Sequence, residues 1–225
     1  MRKPAVDYRT FRLVKINEPQ FSHLKLLLSW VGYFIFFILT EKLIPPDLCY
    51  PVHCKLDDLI PFNEFFFIPY VFWYVLILIS LVYFLLYNVE GFKDLQKFII
   101  ITQVVAITAY MIFPSRQDLR PLIFPRDNFL TRCVAFLYSI DTNTGVCPSS
   151  HVAFSLGIAS VWLKEKSASV GWKIFVVMAV ILICLSTMFI KQHSVVDFLA
   201  ALPMCLLAEW MLFGKKYWIP RLKSD

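Results

Sequence analysis

At 225 residues, 59% of them hydrophobic and 17% aromatic, the chain carries more apolar side chain than a soluble domain of this length buries, so a membrane protein is the first inference. The net charge of +6 comes from 22 Lys and Arg scattered between apolar runs. They form no continuous basic face interleaved with aromatics, which argues against a nucleic-acid partner.

In chain order, residues 1–23 are polar and lack the apolar core and small-residue cleavage site of a signal peptide, so the first apolar run is expected to stay as an anchor. Six runs approach the roughly 20 apolar residues that a helix needs to cross a bilayer. They are Leu24–Ile44, Phe65–Tyr87, Phe98–Phe113, Val152–Leu163, Val170–Ile190 and Ser194–Phe213. The expected fold class is all-α, a polytopic protein of six transmembrane helices. Residues 1–225 then form a single membrane domain, with a cytoplasmic segment over 1–23, a six-helix core over 24–213 and a cytoplasmic tail over 214–225. The fourth run is short. It crosses if its helix begins near Ser149 and ends past Lys164 and Lys166, whose long side chains snorkel to the interface.

Lys and Arg bias sets the orientation. With six spans, 15 of the 22 fall on one side, together with both termini, which predicts cytoplasmic termini in a cell membrane. The two longer segments on the other side, Glu41–Glu64 and Pro114–Ser150, hold most of the polar chemistry. The first is acidic, with Glu41, Asp47, Asp57, Asp58 and Glu64 against Lys42 and Lys55, and reads as a solvated loop rather than a lid. Cys49 and Cys54 flank its Tyr50–His53 stretch; a disulfide between them and two free thiols are both open. The remaining cysteines fit no zinc pattern, and Cys133, Cys184 and Cys205 sit in or beside apolar runs as small hydrophobes.

Three clusters place ionisable residues at membrane boundaries, where charge is costly unless paired or used, and all fall on the same predicted side. Pro114–Pro121 carries Arg116 and Arg120, four apart, which a helix would point the same way onto a phosphate. Alone, such arginines also serve as interfacial anchors. Cys147-Pro148-Ser149-Ser150-His151 opens the fourth run with a helix-start signal whose amide hydrogens suit an anion, although Ser-Ser-His is also an ordinary cap. Lys191-Gln192-His193-Ser194-Val195-Val196-Asp197 joins the fifth run to the sixth. One helical turn separates His193 from Asp197, so the carboxylate can hold one ring nitrogen and leave the other free to attack.

The order Arg-Pro, Pro-Ser-x-His and His-x-x-x-Asp, each beside a membrane helix over roughly Tyr110 to Leu202, resembles the type 2 phosphatidic acid phosphatase superfamily. The variant third motif is similar to a divergent branch that includes inositol phosphorylceramide synthase-like proteins. The resemblance implies that Arg120 and Ser149 hold a lipid phosphate and that His193, oriented by Asp197, forms a phosphohistidine. His151 would protonate the leaving oxygen, and no metal or cofactor would be needed. Three positions depart from the family pattern. Phe113 stands where a lysine is usual, Ser150 where a glycine is usual, and Ser186-Thr187 where Ser-Arg is usual. Ser150 is expected to face the phosphate, and Arg116 and Lys191 to replace the two missing cations.

The function expected is a lipid phosphatase acting at the extracytoplasmic interface, with the lipid bilayer and a membrane lipid phosphate as partners. A head-group phosphotransferase using the same histidine is the alternative. A six-helix transporter or binding protein is a third reading, disfavoured because the charges lie at one boundary and not in mid-membrane. The two-histidine chemistry demands that the fourth run cross the bundle, since otherwise His151 and His193 lie at opposite ends.

Overall fold

The computed structural model describes residues 3–222. Among the described residues the regular structure is helical apart from one two-residue ladder. Helix α1 covers Leu28–Leu43, the short α2 Lys55–Leu59, α3 Phe67–Tyr87, α4 Val89–Ile112, α5 Phe129–Ile140, α6 Ser150–Lys164, α7 Val170–Phe189 and α8 Val195–Phe213. Among the described residues five helical stretches are long and apolar enough to cross a membrane: Ser22–Leu43, Glu64–Tyr87, Val89–Ile112, Val170–Phe189 and Val195–Trp218.

The fourth predicted span is the one that falls short by length. Helix α6 has 15 residues, which at 1.5 Å per residue reach about 22 Å against a hydrocarbon core of about 30 Å. It ends at Lys164, before the expected Lys166. It nevertheless runs the depth of the bundle as its central helix, packing on α3, α4, α7 and α8. Its first turn meets the start of α8, and its last turn places Trp162 against Phe84 and Tyr83 near the end of α3. Gly157 lets α4 approach, since a Cβ there would lie 2.6 Å from Phe98. Trp162 Nε1 donates to Ser80 Oγ at 2.9 Å, pairing two buried polar groups between α6 and α3.

Helix α4 begins nine residues before the predicted run, through Glu90, Lys93, Asp94 and Lys97. Those charges hid its first turns from a hydropathy reading; Asn88 caps it by accepting from Gly91 N. Helix α1 lies at the edge, where Trp30 donates to Gln96 of α4 at 3.2 Å and rests edge-on against Phe154 of α6.

The polar segments between helices are more structured than their composition suggested. Strand β1, Tyr50–Pro51, pairs in parallel with β2, Ser115–Arg116, and Thr144 bridges to Arg116 from the other side. This ladder ties together the two long segments at the α6 N-terminal end of the bundle. Between Pro114 and Pro121 the chain is extended and not helical, so Arg116 and Arg120 do not share a helix face. Cys49 and Cys54 are both free thiols. Cys49 Sγ points at Pro45 O, Cys54 caps α2, and the extended Tyr50–Pro51 strand holds them apart.

Candidate active site

Helix α7 ends in a Schellman motif, in which Gln192 N donates to Thr187 O and Lys191 N to Met188 O. Lys191 occupies the left-handed position, φ 55°, where glycine is usual. His193 N also reaches Thr187 O, at 3.0 Å, so the chain reverses within four residues and α8 starts at once.

Ser194 and Asp197 form a capping box at the start of α8. Ser194 Oγ accepts from Val196 N, and Asp197 Oδ2 accepts from Ser194 N at 2.9 Å. The same oxygen lies 3.1 Å from His193 Nδ1. One carboxylate therefore caps the helix and orients the imidazole, leaving His193 Nε2 to face the cavity. The Cys147 thiol neighbours Asp197; burial together with that negative charge pushes its pKa up to about 12, so it stays a neutral donor beside the carboxylate.

His151 sits in the first turn of α6, stacked on Tyr70 at 4.7 Å between ring centroids and tilted against Trp73 at 4.3 Å. Its Nε2 is buried and has no hydrogen-bond partner among the described residues. The His151 and His193 rings lie 5.9 Å apart. The short fourth run thus delivers its histidine to the same end of the bundle as the third motif. Both rings line a cavity of 360 Å³ with aromatic walls from α1, α3 and α4, capped by the end of α5.

Ser149 caps α6, its Oγ accepting from Val152 N, while its own N–H donates to Asp197 O at 3.1 Å, a backbone tie between the two motifs. Ser149 is fully buried. Ser150 lines the cavity with its hydroxyl shared between Tyr33 and Tyr110, each at 3.1 Å.

Arg120 approaches the site without entering it. It donates through Nε and Nη2 to Gln192 Oε1, beside His193, and to the carbonyls of Tyr138 and Thr142, with its guanidinium 4.5 Å over the Tyr138 ring. Burial lowers its pKa, and the nearby Asp141 charge opposes that shift.

The two expected substitute cations are not brought to the site. Lys191 Nζ is occupied by the carbonyls of Asp57, at 2.8 Å, and Ile60, at 2.5 Å; burial lowers its pKa against the raising effect of Asp57 and Asp58. Arg116 binds Asp118 at 3.1 Å and Pro46 O at 2.6 Å. Neither lines the cavity. The residue types were right for phosphate, but each backbone turn aims its side chain at a neighbouring loop.

Two residues that the motifs passed over are placed here. Asp57, in the segment expected to be solvated, is only 2% exposed: it accepts from Ser194 Oγ at 2.6 Å, Val195 N at 2.8 Å and Cys54 N at 2.8 Å. Desolvation works to raise its pKa, yet those hydrogen bonds win and hold it below the ordinary carboxylate value. The acidic segment is therefore a strap buckled onto the start of α8. Asp141, at the C-terminal end of α5, lines the cavity and accepts from Gln192 Nε2 at 3.0 Å. An acid closing an amphipathic helix just before the Pro-Ser-x-His motif was a usable signal for Asp141. Nothing local marks Asp57, whose partner is 137 residues away.

Comparison of the chain with protein-family models, with curated proteins and with solved structures finds no match.

Proposed function

We propose that the chain is an integral membrane enzyme of six crossings, α6 included, with both termini cytoplasmic, that cleaves a lipid phosphate by attack of His193 on phosphorus. The observation that carries this reading is the pair of imidazoles 5.9 Å apart, one held by a buried carboxylate and the other with a free buried nitrogen. A core polar atom without a partner is costly, and a reacting ligand would supply the partner.

In the first step the His193 Nε2 lone pair forms a bond to phosphorus as the bond to the leaving oxygen breaks. Asp197 stabilises the positive charge that grows on the ring. His151 Nε2, carrying a proton, delivers it to the leaving oxygen. In the second step a water attacks phosphorus, the phosphorus–nitrogen bond breaks, and the proton of the water returns to His151. The α6 N-terminal amides lie where they can face the phosphoryl oxygens. Arg120, held on Gln192 beside His193, adds positive field from outside the cavity.

A transferase uses the same groups with an alcohol in place of water. It is favoured by the apolar cavity wall, which admits an acceptor carrying its own tail. The test is release of phosphate or of a phosphorylated head group from a panel of lipid phosphates and phosphodiesters. Purified wild type would be compared with His193→Ala in detergent with excess chelator, with and without an added lipid alcohol. Release by wild type alone, without an alcohol, supports hydrolysis; dependence on the alcohol supports transfer. Equal turnover by His193→Ala would end the reading.

A further inference from the structure

We propose that the cavity beside His193 is built to receive an ammonium group next to Asp141, so that the substrate head is a zwitterionic phospho-amine and not a bare phosphate monoester. This rests on the phosphoryl-transfer reading above and names its substrate class.

The charge inventory of the cavity carries the inference. Among the described residues no Lys or Arg lines it; its ionisable groups are Asp141, His151 and His193, with the phenols of Tyr33, Tyr74 and Tyr110. Arg120 is turned away onto Gln192 and the two α5-end carbonyls. Asp141 has one amide donor, Gln192, and is paired with no cation among the described residues. It also sits at the C-terminal end of α5, where its N–H donates to Leu137 O and the helix dipole adds partial negative charge. Glu41, joined to Thr142 by a short hydrogen bond, deepens the same field. Asp141 shares the cavity lining with the rings of Tyr33, Phe37, Trp73 and Tyr74.

A phosphate dianion entering this space would meet an acid whose nearest guanidinium, Arg120, is held outside the cavity on Gln192. A phosphodiester that bears an ammonium places one negative charge at His193 and one positive charge at Asp141. Aromatic faces such as Tyr33, Phe37, Trp73 and Tyr74 are the surfaces that hold a desolvated ammonium best. The apolar wall assigns this head to a lipid and not to a free phospho-amine.

The test is binding, so that it succeeds or fails independently of turnover. His193→Ala protein in maltoside at pH 8 would be titrated with hexylphosphocholine, hexyl phosphate and phosphocholine, with the fluorescence of Trp30 and Trp73 as the signal. Hexylphosphocholine is expected to bind about tenfold or more tightly than either of the others. Asp141→Asn in the same background should lose that preference between the two hexyl ligands, and Asp141→Glu should keep most of it. Preference for hexyl phosphate, an unchanged ratio in Asp141→Asn, or no binding of either hexyl ligand would overturn the subsite while leaving the His193 chemistry standing. Equal binding of phosphocholine and hexylphosphocholine would overturn its assignment to a lipid.

Discussion

The two ends of the bundle differ in which polar groups they leave unpaired. At the end where α3 turns into α4, ionic groups answer one another. Lys164 meets Glu209 at 2.6 Å and Lys216 meets Asp94 at 2.6 Å, while Asn88 donates to Glu165 at 2.5 Å. Lys164 is further covered by the rings of Phe213, Tyr217 and Trp218. At the end where α6 and α8 begin, His151 Nε2 has no hydrogen-bond partner and Asp141 no ion pair among the described residues. Self-satisfied charge holds a fold together, whereas charge arranged around a cavity and left open is arranged for a ligand.

The largest expected effect breaks the open end at its centre. Asp197→Asn retains an oxygen to cap Ser194 N, so α8 still starts in place. That oxygen can still accept from His193 Nδ1, but the amide carries no negative charge to stabilise the imidazolium that grows during attack. Loss of kcat of about a thousandfold is expected by analogy with other carboxylate-oriented histidines, with KM little changed. Unchanged kcat would show that Asp197 is a cap and nothing more.

Next comes the strap. Asp57 touches no part of the cavity lining; it acts as a positioning residue through Ser194 and Val195. Asp57→Asn removes a charged acceptor of three hydrogen bonds and should cost about 2 kcal/mol of stability, with kcat down about tenfold and KM held. The sign of the pH effect follows from its depressed pKa. An acid held below its unfolded value of 3.8 contributes fully above that pH, and the contribution fades as the pH falls through the folded value. Thermal midpoints of wild type and Asp57→Asn in detergent should therefore differ most above pH 5 and converge below 3.8. A constant gap across that window would mean that the strap is held by shape and not by charge.

How much of this was legible depended on the distance over which each residue acts. His193 and Asp197 are one helical turn apart, so their pairing could be read from spacing once a helix start was recognised at Ser194. His151 needed one further premise, that a 12-residue apolar run traverses the bundle, and the packing of α6 on four helices supplies it. Arg116 and Lys191 had the right chemistry in the right neighbourhood. Their aim was set by a two-residue ladder and by a left-handed turn, neither of which has a periodic signature. The buckle of Asp57 on Ser194 and the early start of α4 through four charged residues were invisible to hydropathy for the same reason. Both are decided by long-range partners that satisfy polar groups, not by local pattern.

The paired end gives a control. Glu209 accepts from Ser160, Lys164 and Trp218, so Glu209→Gln leaves Lys164 half-buried without its counter-charge. A stability loss of about 2 kcal/mol is expected, with kcat and KM within a factor of about two of wild type. If Glu209→Gln instead altered KM, the two ends would be coupled and the division between structural and functional charge would not hold.

The smallest effect falls on Arg116, which the spacing argument set beside Arg120 on a phosphate. The Arg116 guanidinium is spent on the Asp118 carboxylate and Pro46 O, and its backbone is fixed independently by Val52 N and the Thr144 bridge. Truncation to alanine leaves the ladder intact and removes a part-exposed ion pair, worth about 0.5 kcal/mol. Arg116→Ala should therefore keep KM and kcat within about twofold, whereas a phosphate ligand would lose about tenfold or more in affinity on the same change. A large rise in KM would mean that the ladder opens when substrate binds and that Arg116 swings from Pro46 to the phosphoryl group. The second long segment would then belong to the open end of the bundle rather than to its frame.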